Sequence, residues 1–407
     1  VNLFRFSQVM SRSIPALINP ELLIWARQTT GLSLEAAAKK LGQPPEKLAT
    51  WENSNEQHPT IPQLRKLAEI YKRPLALFYL PHPPETSPTL KDFRRLDTIA
   101  TSSYSPELRS LIRNVQYRRE AAIDLAEQLN ENPPIFPITA AIADEPENLA
   151  KQLREAMGIS YEIQTRWKDQ YAVLKNWIQA VESLGVLVFQ SSNVEISEMR
   201  GCSISADQFP AIVINSKDAP NARIFTLMHE LTHIALRNGG VFNFEEDEQA
   251  AKTNENQRIE IFCNRVAGAI LVPYENLIAD TIVKFKSHEI DFTSDDIAKL
   301  AKRYQVSKEV ITRRLLILNQ VSQTFYQQKR QEFIDEYQRN AETSKKITGA
   351  PPVFRMALGK NGYAFTRLVL DSYNSDRIHA SDLSDYLDIR LKHLPDLQAA
   401  LFAEVSE

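Results

Sequence analysis

The sequence predicts an α+β fold that is mainly helical, and three observations predict it. Apolar residues recur at helical spacing along most of the chain. The period changes to short apolar runs, rich in valine and isoleucine, only between residues 186 and 215. At 407 residues the chain exceeds one ordinary core, so two or three domains are expected. The expected order is an N-terminal helical bundle, a central domain with a small sheet, and a C-terminal helical region.

Residues 1–17 are expected to be a flexible extension. The chain opens on Val1, and Met10 would be a natural start. Residues 1–9 lack the apolar core and small-residue cleavage site of a secretory signal. Residues 18–83 read as four short helices. Asn19-Pro20 opens the first, with Leu22, Leu23 and Ala26 inward. Ser33 caps the second, which carries Leu34, Ala37, Ala38 and Leu41 and ends at Gly42. Pro44-Pro45 starts the third, with Leu48 and the core anchor Trp51. Thr60-Ile61-Pro62 starts the fourth, with Leu64, Leu67, Ala68 and Tyr71.

Residues 84–140 are a linker and connecting helix, with prolines dense from Pro81 to Pro88 and a helical pattern from Ser105 to Asn130. The central domain is assigned to residues 141–290. It holds a helix over Glu145 to Met157 and strands at Val186–Phe189, at Cys202, Ile204 and Ala206, and at Phe209–Asn215. Two longer helices follow, over Ala222–Arg237 and Gln257–Leu271, the second stopped by Pro273. Residues 291–320 form a helical pair and residues 321–407 a further helical region.

A net charge of −3 argues against a general polyanion binder. Two widely separated cysteines, Cys202 and Cys263, exclude a disulfide framework and suit a reducing compartment. No apolar run approaches the ~18–20 residues of a membrane span. A cytoplasmic protein without membrane contact is expected.

The chemistry concentrates in His229-Glu230-Leu231-Thr232-His233. Histidines four apart share one helical face and can converge on one zinc ion. Glu230 is placed to take a proton from metal-activated water and pass it to a leaving amine. Phe225, Leu227, Met228, Ile234 and Leu236 embed the motif in an apolar helix, where histidines and a carboxylate need partners or a ligand. Glu260 is the best candidate for a third ligand, with Asn264 one turn on to orient a histidine ring. Glu245, Glu246, Asp247 and Glu248 are rivals in an acidic loop, and Cys263 is a weaker one. Tyr274 and His288 are candidates to stabilise an oxyanion. His58, His82, His379 and His393 lack partners at ligand spacing.

Arg223 through His233, with Glu260-x-x-Cys-Asn264, Leu271-Val-Pro273, Gly201-Cys-Ser-Ile-Ser and Pro210 to Asn215, resembles the ImmA/IrrE family of metallo-endopeptidases. Leu32 to Leu41, Trp51-Glu52 and Leu64 to Tyr71 are similar to an Xre-type helix-turn-helix. The resemblance extends over residues 18–400 and implies a zincin-like, gluzincin-type domain. It implies His229, His233 and Glu260 as ligands of one zinc per chain and Glu230 as catalytic base. It also implies an Xre-type repressor as substrate or partner, in stress, mobile-element or toxin–antitoxin control. Cys263 departs from the usual Ala and Val266 from the usual Phe, which bears on packing beside the site rather than on its ligands.

Residues 1–83 carry ten Lys/Arg and six Asp/Glu, a balance of +4 that suits weak phosphate contact. Gln43, Lys47, Thr50 and Asn53 are candidate DNA contacts, opposed by Glu46 and Glu52. Arg313 and Arg314 sit on the second helix of the later pair; packing against the peptidase is expected there, with nucleic-acid contact as the alternative. The functional expectation is a zinc endopeptidase acting on a transcriptional regulator. The rivals are a non-catalytic DNA-binding regulator with a structural zinc, and a toxin–antitoxin partner acting by binding. A structural zinc needs four protein ligands and only three good candidates appear, which favours an enzyme.

Overall fold

The computed structural model describes residues 15–83 (except 31, 55, 56, 72 and 74), 104–237, 241–242, 255–286, 292–343 and 352–402. The chain forms two compact units, Val1–Arg113 and Asn114–Glu407. Its architecture is the mainly helical α+β arrangement expected from the sequence.

In the first unit, α1 (Pro20–Thr30), α2 (Leu34–Leu41), α3 (Pro45–Asn53) and α4 (Ile61–Ile70) precede a 3-10 turn at Leu75–Tyr79. The Ser33 hydroxyl accepts from the Ala36 N–H to cap α2. Thr60 and Gln63 form a reciprocal capping box on α4. Each cap is worth about 1 kcal/mol. Gly42, at φ 74°, closes α2 in the left-handed conformation and turns the chain into α3. Leu22, Leu23, Leu48, Trp51, Leu64 and Tyr71 fill one core, so Trp51 is the anchor expected of it. Full burial of each such leucine contributes about 1.5–3 kcal/mol.

Glu52 corrects one reading. It does not oppose DNA from the helix surface. It is buried and accepts two 2.8 Å hydrogen bonds from the Arg27 guanidinium, tying α1 to α3.

The unit boundary falls within α5 (Pro106–Gln128). The second unit continues through α6 (Pro146–Ala156), α7 (Tyr161–Arg166) and α8 (Gln170–Glu182). The sequence reading passed over α7 and α8. Asp169 caps α8 by accepting from the Tyr171 and Ala172 N–H groups, and Val173, Leu174, Trp177, Ile178 and Val181 form its buried stripe.

The sheet comprises β1 (Leu187–Ser191), β2 (Gly201–Ile204) and β3 (Ala211–Asn215), with the two-residue β4 (Val241–Phe242) added to the three expected strands. Its order is β1-β3-β2-β4. β1 runs parallel to β3 and the other pairs are antiparallel. The alternation expected in β2 is not observed. Cys202 and Ser203 are both buried, so both faces of the strand are covered.

The long helix α9 (Pro220–Ala235) packs on β2, β3, α8 and α10 (Glu255–Leu271). Then come α11 (Tyr274–Ala279), α12 (Thr281–Lys284), α13 (Ser294–Tyr304) and α14 (Lys308–Ile317). One core runs through Trp177, Ile212, Leu227, Val266, Leu300 and Leu315, so α13 and α14 belong to the same hydrophobic interior as the sheet. Arg314 is buried on α14, donates to the Val272 carbonyl and pairs with Glu147. That position withdraws it from nucleic-acid contact and makes it a packing residue. Arg313 donates to the Tyr326 hydroxyl.

The chain ends in α15 (Gln323–Thr343), α16 (Val353–Asn361), α17 (Tyr363–Asn374), α18 (Ala380–Leu387) and α19 (Leu394–Phe402). α16 and α17 pack against β1, a strand paired on one side only among the described residues. There the buried Glu182 carboxyl accepts from the Tyr363 N–H at 3.0 Å and from the Val188 and Ala364 N–H groups. Gly362 approaches the Val188 carbonyl so closely that a Cβ would collide with it. The free edge of β1 is therefore covered and its Val188 N–H satisfied. Among the described residues no helix is long and apolar enough to cross a membrane.

Candidate metal centre

Proline at the first turn opens α9, and an almost wholly buried run from Arg223 onward fixes it between the sheet and α10. His229, Glu230 and His233 are at most 2% exposed. The two histidine Nε2 atoms stand 3.0 Å apart. Glu260 reaches in from α10, its Oε2 at 3.2 Å from His229 Nε2 and its Oε1 at 3.5 Å from His233 Nε2. One ligand atom from each of these three residues falls within 4.8 Å of the others.

Asn264 lies one turn after Glu260, and its Oδ1 is 3.0 Å from His229 Nδ1. An amide oxygen only accepts, so Nδ1–H is the donor and the neutral ring keeps its lone pair on Nε2. That lone pair faces His233 Nε2 and the Glu260 carboxylate. Such a convergence of acceptors repels itself unless protons or a cation occupy it. The donor set, two imidazoles and one carboxylate, fits zinc.

Glu230 lies behind this group. Ser203 on β2 donates its hydroxyl to Glu230 Oε2 at 2.8 Å. Oε1 is buried with no hydrogen-bond partner among the described residues. Burial pushes the Glu230 carboxyl well up, the Ser203 bond opposes this, and nearby Glu260 adds to it. A carboxyl buried with one oxygen unsatisfied is costly unless that oxygen has work to do. Gly201 makes the arrangement possible, because a Cβ there would collide with Thr226 and stand 3.0 Å from Glu230 Oε1.

Residues 181–316 match the IrrE N-terminal-like domain family. The match takes in the helices and strands that carry His229, His233, Glu260 and Ser203. Residues 23–78 match the helix-turn-helix family. The chain is similar to the radiation response metalloprotease IrrE of Deinococcus radiodurans, 38% identical over 97 residues, which are 24% of this chain and 27% of that protein. It is also similar to the radiation response metalloprotease IrrE of Deinococcus deserti, 37% identical over 97 residues, 24% of this chain and 32% of that one. The chain thus spans about a quarter to a third of the length of these relatives.

The remaining sequence candidates fall in several places. Cys263 is a buried free thiol on α10, pushed well up by burial and by Glu260 and Glu230, and it stands outside the three-residue group of the IrrE-like domain. Val266 is a core residue. Tyr274 opens α11, about half exposed, on the wall of a cavity of about 560 Å³ that Glu147 and Arg154 also line. His288 and Glu245 to Glu248 lie outside the described residues.

In the helix-turn-helix, Gln43 is half-buried between α2 and α3. The Thr50 hydroxyl donates to the Glu46 carbonyl and the Asn53 amide to the Ala49 carbonyl, both at 2.8 Å. Lys47 is exposed, its Nζ 5.6 Å from the Trp51 ring centre. The sequence reading missed Ser203. Its signal was available only from the packing of β2 against α9.

Proposed function

We propose that this chain is a zinc-dependent endopeptidase whose substrate is a transcriptional repressor of the Xre type. The observation that carries the reading is the meeting of His229, His233 and Glu260 around one point, with Glu230 buried beside them. His229, His233 and Glu260 would hold the ion, and Asn264 would fix the His229 ring. Bound zinc supplies Lewis acidity, which acidifies water and polarises a carbonyl. Glu230 takes the proton through Oε1, the oxygen that Ser203 leaves unoccupied, and delivers it to the leaving amine. Three protein ligands, those found among the described residues, would leave a position open, as catalysis requires and a structural site does not.

The helix-turn-helix unit would bring the enzyme to DNA through α3. With Glu52 turned inward, α3 presents Lys47 with one acid fewer against it. The regulatory setting is stress, mobile-element or toxin–antitoxin control, in keeping with the radiation response named for the Deinococcus relatives.

The test is metal content of the purified wild type beside His233→Ala and Glu260→Ala, followed by repressor cleavage with Glu230→Gln. About one zinc per wild-type chain is expected, lost in both ligand variants. Glu230→Gln should keep zinc and lose cleavage. No zinc in wild type after reconstitution overturns the centre. Unchanged biological effect in Glu230→Gln overturns catalysis and leaves a binding regulator.

A further inference from the structure

The cavity beside Tyr274, of about 560 Å³, opens between two segments of the second unit. One is α6 with the turn that follows it to Ser160, and the other is the junction of α10 and α11. Its volume is that of a small-molecule site, and none of its lining residues belongs to the metal centre.

Arg154 lines this cavity although its side chain is only 7% exposed. Its Nη1 donates to Gln164 Oε1 at 2.7 Å and to the Ile270 carbonyl at 2.6 Å. The Trp177 ring centre lies 5.8 Å from the guanidinium carbon. Among the described residues Nη2 is a buried donor without a hydrogen-bond partner, and no carboxylate is bonded to the guanidinium. Burial pushes Arg154 down to about 10 and Glu162 opposes this, so the group stays charged at neutral pH. A buried cation one acceptor short calls for an anion.

The other charges of the lining decide which anion. Glu147 is committed, meeting Arg314 through both oxygens at 2.6 Å. Glu155 and Glu275 are exposed, and their carboxylates carry no hydrogen bond or ion pair among the described residues. Lys151, also exposed, lines the same wall one turn before Glu155. The uncommitted charges therefore cancel, two cations against two carboxylates. A phosphate dianion would meet those carboxylates, whereas a zwitterion uses both signs.

We propose that this cavity binds a free α-amino acid, its carboxylate accepting from Arg154 Nη2 and its ammonium facing Glu155 and Glu275. Ala150, Ile159, Ala269 and Pro273 supply apolar wall, and Tyr274 a half-exposed ring, which suits a large apolar or aromatic side chain. Because Arg154 also holds the Ile270 carbonyl at the end of α10, occupancy should raise the melting temperature of the second unit.

The test is calorimetric titration of the full chain with phenylalanine and with leucine. Phenylalaninamide, N-acetylphenylalanine and inorganic phosphate are titrated in parallel. Saturable binding of at least one amino acid is expected. It should weaken at least about tenfold when the carboxylate is amidated or the ammonium acetylated, the effect of losing one charge-assisted contact. Arg154→Gln should abolish binding, but it also removes the bonds to Gln164 and Ile270. The double variant Glu155→Gln, Glu275→Gln changes only exposed side chains. It should keep the wild-type melting temperature without ligand and bind at least about tenfold more weakly, which separates lost binding from lost folding. No saturable heat with either amino acid overturns the proposal. Equal affinity for the amide overturns the Arg154 contact. Equal affinity for the acetylated form or in the double variant overturns the ammonium contact. Phosphate binding without amino-acid binding overturns the ligand class.

Discussion

Ser203 holds Glu230 by a single 2.8 Å bond to Oε2, and the strand that carries Ser203 belongs to the sheet rather than to either histidine-bearing or glutamate-bearing helix. The position of the proposed base thus depends on the register of β2 against α9. Ser203→Ala removes that restraint without touching a proposed metal ligand. Zinc content should be unchanged while cleavage falls about 10–100-fold, the range for lost outer contacts. Paired metal analysis and cleavage assays check it; equal activity would show that Ser203 is only a buried hydroxyl.

Gly201 lies where β2 leaves no room for a Cβ against α9. Gly201→Ala drives a methyl into Thr226 and toward Glu230 Oε1. Overpacking of this kind costs about 1–3 kcal/mol. Urea unfolding should show that loss, and adding Thr226→Ser, which removes the obstructing methyl, should recover part of it.

Glu182 makes stability fall with rising pH. Burial raises its carboxyl from near 4.5 to about 8, against the backbone N–H bonds that favour the charged form. The folded state then binds a proton between those values that the unfolded state has lost, so the contribution is full below the lower value and gone above the higher. Wild type should lose about 1–2 kcal/mol more than Glu182→Gln between about pH 6 and about pH 9, less than the full shift because three N–H donors remain. Urea midpoints of the two proteins across that range decide it.

The Arg27–Glu52 pair is bidentate and nearly dry, with the two side chains 16% and 4% exposed. Glu52→Ala leaves a guanidinium without its partner and should cost the first unit about 3–5 kcal/mol. Circular dichroism melting of the full chain should show an earlier transition. Replacing Arg27 and Glu52 together by Met and Leu should restore most of it, because the isolated charge is gone.

Legibility followed period and chemistry. The four helices of the first unit were readable because Ser33, Gly42, Pro45 and Thr60 mark their ends. The three-residue centre was readable because a four-residue spacing puts His229 and His233 on one face. α8 is marked by Asp169 and its apolar stripe, but its stripe runs on into the valine-rich run of β1, which blurs the change of period between them. Ser203 was not readable. A strand buried on both faces loses the alternation that would have assigned its side, and the partner of its hydroxyl is 27 residues away. Arg314 shows the same limit: its burial depends on Glu147 and Val272, far from it in sequence.

The sealing of β1 by α16, α17 and Glu182 has a practical consequence for anyone preparing the catalytic region alone. A fragment cut at residue 316, where the family match ends, would keep Glu182 on the Val188 N–H but lose both helices that pack against the strand. It would uncover the edge of Leu187, Val188 and Phe189, a template on which identical copies can add as further strands. Insolubility of that fragment would then report a missing cover rather than an unstable enzyme, and the C-terminal helices are best retained in any preparation meant for assay.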